Sequence, residues 1–144
     1  MLNKYSILVA LVIFLMGSSQ AYADEIITYE NCMQHLGGGG FGDFDCYEMH
    51  VRNLRSDNTK IANSLKSAGG ITVANKRALD AYMRAQDDVA SACNLAINLE
   101  YPSAKERAKR DHIELYDVMA ARCRYTIRKQ ENDFLHDLRS ITNN

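Results

Sequence analysis

The chain has no tryptophan and one proline, and the closest two of its four cysteines are separated by 13 residues. Zinc sites bring ligands in pairs two to four residues apart, so this spacing argues against a structural zinc site. Beyond Met16 there is no long apolar run, which leaves no candidate for a second membrane contact. Charge of neither sign dominates: 17 Lys and Arg stand against 18 Asp and Glu. A nucleic-acid binder needs a concentrated basic surface, and this composition does not supply one. Catalytic signatures are equally scarce. There is no Gly-x-Ser-x-Gly elbow and no His-Glu-x-x-His pair. The run from Gly37 to Gly40, followed by Phe41 and Gly42, lacks the Gly-Lys-Ser/Thr of a phosphate loop and reads as a flexible connection. No cofactor, metal or enzymatic activity is expected.

The N-terminus carries an address. Lys4 precedes an unbroken apolar run of ten residues, Ile7 to Met16. Gly17, Ser18 and Ser19 break the run, and Ala21-Tyr22-Ala23 supplies the small-x-small site of a signal peptidase. The run is short of the roughly 18–20 apolar residues that span a bilayer. Residues 1–23 are therefore expected to be a cleaved secretory signal, with 24–144 forming a single domain that is soluble in a bacterial periplasm. An even number of cysteines (Cys32, Cys46, Cys93 and Cys123) in a small exported chain points to two disulfides.

Gly37–Gly40, Ser67–Gly70 and Tyr101–Ser103 divide the rest into helical patterns. The first runs from about 44 to 65, with Phe44, Tyr47, Val51, Leu54, Ile61 and Leu65 at helical spacing and Asn58 filling one slot. The second runs from about 73 to 99 on Leu79, Tyr82, Met83, Val89, Ala90, Cys93 and Ile97. The third opens on a capping box, Ser103 with Glu106, and continues through Ile113, Tyr116, Met119, Cys123, Ile127, Phe134, Leu135 and Leu138. Residues 24–36 add a short leading helix. No stretch alternates like a strand, so the expected fold is all-α: a small bundle of three long helices plus a short N-terminal one, braced by two disulfides. Cys46 and Cys93 lie equally far from the turn at 68–71, hence at one height on antiparallel helices. That predicts Cys46–Cys93 and, by exclusion, Cys32–Cys123.

Two charged groupings invite a catalytic reading. Asp111-His112 with Glu114 sits in a run of mixed charge, and Asp87 adjoins Asp88. Both are read as solvated helix faces.

Taken together, four features resemble the LprI-type lysozyme-inhibitor family of small exported bacterial proteins. They are the leading pair Cys32 and Cys46; Tyr47 followed by a helix with Asp57-Asn58 and Ile61; the helix from Leu79 through Gln86 to Cys93; and Cys123 followed by Thr126, Arg128 and Leu135. The resemblance spans roughly residues 30–138 and is that of a divergent member, with Val89-Ala90 where the family carries Arg-Asp. It implies a periplasmic helical protein that binds and blocks a peptidoglycan-degrading enzyme, either a lysozyme-like hydrolase or a toxin against which it confers immunity. Within the chain, the segment from Gly37 to Asp45 is the most loop-like. Phe41 and Phe44 are candidate aromatic anchors there, and Asp43, Asp45 and Glu48 are candidate partners for a basic enzyme. The alternative is a periplasmic adaptor or assembly factor that binds through an apolar stripe around Tyr125, Phe134 and Ile141.

Overall fold

The computed structural model describes residues 32–34, 36–37 and 40–142 of the chain, with the Phe41 side chain outside that description. The expected signal segment, its cleavage site after Ala23, most of the leading helix, His35 and Gly38–Gly39 lie outside the described residues. Among the described residues a 3-10 turn, Cys32–Gln34, comes first, followed by five helices: α1 Phe41–Ser67, α2 Val73–Ala92, α3 Leu95–Glu100, α4 Ala104–Arg107 and α5 Leu115–Thr142. There is no strand among the described residues. The fold is all-α and braced by two disulfides, as the sequence predicts.

The three long helices run up, down and up. Contacts between α1 and α5 climb both helices together: Glu48 meets Arg124, Asn58 meets Arg128, and Ile61, Ala62 and Leu65 share a cluster with Leu135. These two helices are therefore parallel. Helix α2 descends between the same levels, with Tyr82 against Phe134, Asp87 at Arg128 and Asn94 at Arg124. Helix α5 packs along α1 and also against α2 and α3. Ala62, Ala120 and Ala121 are almost wholly buried, and their small side chains let the long helices approach closely.

The interior has three layers. One apolar cluster (Ile61, Ala62, Leu65, Leu79, Leu135) lies near the α1–α2 turn, and a second (Tyr47, Val118, Ala121) lies near the start of α1 and α5. Between them sits a polar layer built on Asn58, Arg128 and Glu131, all buried.

At the α1–α2 turn the backbone reverses through Gly69 and Gly70, and Thr72 then caps α2 by accepting a hydrogen bond from the Asn75 amide at 3.1 Å. Gly70 has φ +85°, a conformation that penalises any side chain, whereas Gly69 does not. Gly70→Ala is expected to lower stability by about 1–2 kcal/mol. Gly69→Ala should be close to neutral, and urea denaturation of the pair measures the difference.

The structure corrects three expectations. The disulfides are Cys32–Cys46 and Cys93–Cys123, with Cα atoms 5.9 and 5.7 Å apart, and not Cys46–Cys93 with Cys32–Cys123. The height argument itself holds, since one guanidinium, that of Arg124, bonds both Glu48 and Asn94. At that shared level, however, Cys123 on α5 stands beside Cys93, while Cys46 pairs with the segment that leads into its own helix. Second, the long pattern of 73–99 breaks at Cys93–Asn94 into α2 and α3. Third, the Ser103–Glu106 capping box forms, with bonds of 3.1 and 3.0 Å, but caps only the four residues of α4. The third long helix starts at Leu115.

Candidate functional site

The clasped end of the bundle holds the residues singled out as a binding loop. Only its first part is a loop, because α1 already begins at Phe41. Gly37 takes φ +143°, a value suited to glycine, and donates its amide to the Asp43 carboxylate at 3.1 Å. Asp43 lies in the first turn of α1, where a carboxylate also complements the helix dipole. It therefore organises the entry to the helix. Phe44 packs beside Tyr47, Val118 and Ala121, together with Met33 and Leu36. Glu48 accepts a hydrogen bond from Arg124 Nε at 3.0 Å, and Arg124 also reaches Asn94 Oδ1 at 2.6 Å. Of the four described candidates, Asp45 is the exposed one. The premise of a free loop from Gly37 to Asp45 is thus corrected: three of its residues are spent on structure, and Asp45, next to the Cys32–Cys46 bridge in sequence, is exposed.

The connection between α3 and α5 forms a polar knot at this same end. Tyr101 donates its hydroxyl to Glu114, and the Arg110 guanidinium lies 4.8 Å from the Tyr101 ring centre and pairs with buried Asp117. Arg107 donates to the Tyr101 carbonyl at 2.6 Å. Asp117 also accepts the Glu114 amide at 2.9 Å, closing the start of α5. The hydrogen bond to Glu114 is the main influence holding the Tyr101 phenol above its ordinary pKa.

Asp111, His112 and Glu114 do come together. His112 Nδ1 lies 2.6 Å from Asp111 and Nε2 lies 3.1 Å from Glu114. The bond to Asp111, above all, raises the imidazole pKa, and the same bond lowers that of Asp111. With both ring nitrogens directed at carboxylates, neither is free to take a proton from a substrate. The expected helix face is corrected: the grouping lies on the non-helical connection before α5, with Asp111 and His112 exposed and Glu114 turned into the Tyr101 knot.

One grouping of ligand-type atoms converges among the described residues, Cys32, Cys46 and His50. Both sulfurs are consumed by the disulfide, and a metal needs the thiolate.

Sequence reasoning missed the polar layer. Asn58 is wholly buried, donates to the Arg128 carbonyl at 3.0 Å and accepts from Asn132 at 2.8 Å. Arg128 reaches Glu131 at 2.8 Å and also bonds Asp87. Burial opposes its charge, but those two partners outweigh it and raise its pKa. Asp87 is therefore the counter-charge of a buried arginine, which corrects its reading as mere surface. Asn58 in an otherwise apolar stripe was the visible signal.

The opposite end of the bundle is apolar and open. Phe134 and Ile141, 44% and 70% exposed, line a groove there with Tyr82. Tyr125 does not join them: it packs between Tyr47 and His50 in the other cluster.

No family model, no curated protein and no solved structure matches the chain. No helix among the described residues is long and apolar enough to cross a membrane.

Proposed function

We propose that this chain is an exported periplasmic protein, a divergent relative of the LprI-type inhibitors, that binds and blocks a cell-wall-degrading enzyme. The target is a lysozyme-like hydrolase or a peptidoglycan-directed toxin, and in the second case the chain acts as an immunity protein. The observation that carries the reading is the clasped end, where Cys32–Cys46, the Gly37–Asp43 bond and the Arg124 hub tie the start of α1 to its neighbours and leave Asp45 exposed. A surface tied down by cross-links and hydrogen bonds loses less entropy on docking than a free one. An exposed carboxylate there favours encounter with a basic enzyme. The binding role also fits a surface on which the histidine triad has no free nitrogen.

The test is a screen of the oxidised, exported chain against lysozymes and periplasmic wall-acting toxins, with residual enzyme activity as the readout. Wild type is expected to abolish the activity of one enzyme. Phe41→Ala with Asp45→Lys is expected to weaken inhibition about tenfold or more, since the pair removes the aromatic anchor that the sequence proposes and reverses an exposed charge, acting on both off-rate and on-rate. Full inhibition by that variant would remove the clasped segment from the interface. The adaptor reading keeps its support from exposed Phe134 and Ile141. Recovery of an envelope component, with no hydrolase inhibited, would favour it.

A further inference from the structure

Cys46 and His50 stand one turn apart on α1, and Cys32 is joined to Cys46. The two sulfurs and one ring nitrogen of His50 all lie within 4.8 Å of one another. Among the described residues no such ligand group forms around Cys93 and Cys123. The setting is largely closed to solvent. Cys32 and Cys46 are 4% and 3% exposed, and the His50 ring meets the Tyr125 ring edge-on, with centres 5.8 Å apart. While the bridge is intact, neither sulfur is a thiolate and no metal is held. The dithiol state differs. It precedes oxidation in every copy of the chain, and it returns whenever a dithiol reductant opens the bridge.

We propose that Cys32 and Cys46 in their dithiol state, together with His50, form a binding site for one zinc ion. The step balances without a further reactant. The reductant's two thiols become a disulfide, Cys32 and Cys46 become thiols, and zinc then displaces one proton from each to solvent. Three observations select this ion. Two thiolates and an imidazole are a donor set that zinc takes, with water as the fourth ligand. Cys46 and His50, with three residues between them, supply the close ligand pair that the cysteines alone lack. Two thiolates also cancel the charge of a divalent ion, which suits a buried centre, whereas monovalent copper would leave a net negative charge there. The spacing is within reach. Ligand atoms around a tetrahedral zinc stand roughly 3.5–3.8 Å apart, given bonds of about 2.0–2.3 Å. Rotation of the two cysteine side chains reaches that spacing from the observed cluster, with their Cα atoms still 5.9 Å apart. The clasp thus has two forms, covalent and metal-bridged, and the start of α1 stays tied to the 3-10 turn in both.

The test reads metal binding and helicity, so its outcome is separate from that of the enzyme screen. The exported chain is reduced with a water-soluble phosphine, which leaves no competing thiol in solution. It is then titrated with zinc chloride against a chromophoric zinc chelator, with far-ultraviolet circular dichroism followed in parallel. The expected result is one zinc per reduced chain with helicity retained, and none on the oxidised chain. Cobalt in place of zinc should give thiolate-to-metal charge-transfer absorption, which reports sulfur ligation. His50→Phe keeps a ring beside Tyr125 but removes the nitrogen, and should lower zinc affinity about tenfold or more. Circular dichroism of the oxidised variant checks that it folds, and His50→Gln carries the same test if it does not. Absence of stoichiometric zinc on the reduced chain would overturn the proposal, as would loss of helicity that zinc does not prevent. Unchanged affinity in the folded histidine variant would assign the metal to cysteines alone and overturn it equally.

Discussion

Replacing Arg128 by methionine will destabilise the fold by about 3–5 kcal/mol, read by urea denaturation of the oxidised chain. The side chains of Arg128 and Glu131 are 6% and 0% exposed, and they bond to each other at 2.8 Å. One Glu131 oxygen takes that bond and the other has no hydrogen-bond partner. The carboxylate therefore depends on a single neighbour for its charge balance, and removing that neighbour leaves an uncompensated charge in the interior. Asp87, half exposed, loses a partner too but retains water and Arg55 at 3.8 Å. The discriminating variant is the double one. Arg128→Met with Glu131→Leu replaces the pair by apolar groups of similar volume and should recover most of the loss, because a buried pair contributes little net stability relative to good packing. A single variant that loses under about 1 kcal/mol would mean that the layer is solvated after all.

The disulfides give the second large effect. Cys93→Ala with Cys123→Ala opens a 30-residue loop, and Cys32→Ala with Cys46→Ala a 14-residue one. Chain-entropy estimates put the losses at about 3.6 and 3 kcal/mol respectively. The larger loss should come from the pair that joins α2 to α5, since the smaller loop only secures an approach segment. Peptide mapping without reductant checks the connectivity itself: fragments joining Cys46 to Cys93 would contradict it.

The helical class and much of the long apolar stripes were legible because they depend on periodicity, which lies along the chain, although Val89 and Met119, read into those stripes, are half exposed. Tyr47, Val51, Ile61 and Leu65 are buried as their spacing predicts. The start of α5 shows where a local signal misleads. Ser103 and Glu106 cap as read, yet the following residues through His112 offer no apolar face to pack, so the helix stops after one turn. The first core contact arrives at Ile113 and the long helix follows it. Most helical stability comes from the buried face and not from the cap.

The binding segment was harder to read. Whether Asp43 and Glu48 point outward depends on Gly37 and Arg124, one before the helix and one 76 residues beyond Glu48. The same limit hid the role of Asp87, whose partner is 41 residues away. Periodicity identifies a face, but it does not identify the residue opposite. The cysteine pairing failed for this reason: the level was right, and the lateral neighbour was not visible.

The connectivity has a consequence for how the molecule is made. Its two bridges join first to second and third to fourth cysteine, so the cross-linked loops neither overlap nor enclose one another. An oxidant that joins each thiol to the next as a chain emerges from a pore forms both native bridges in order. No shuffling step is required, so oxidative folding of the reduced chain should reach both native bridges without a disulfide isomerase.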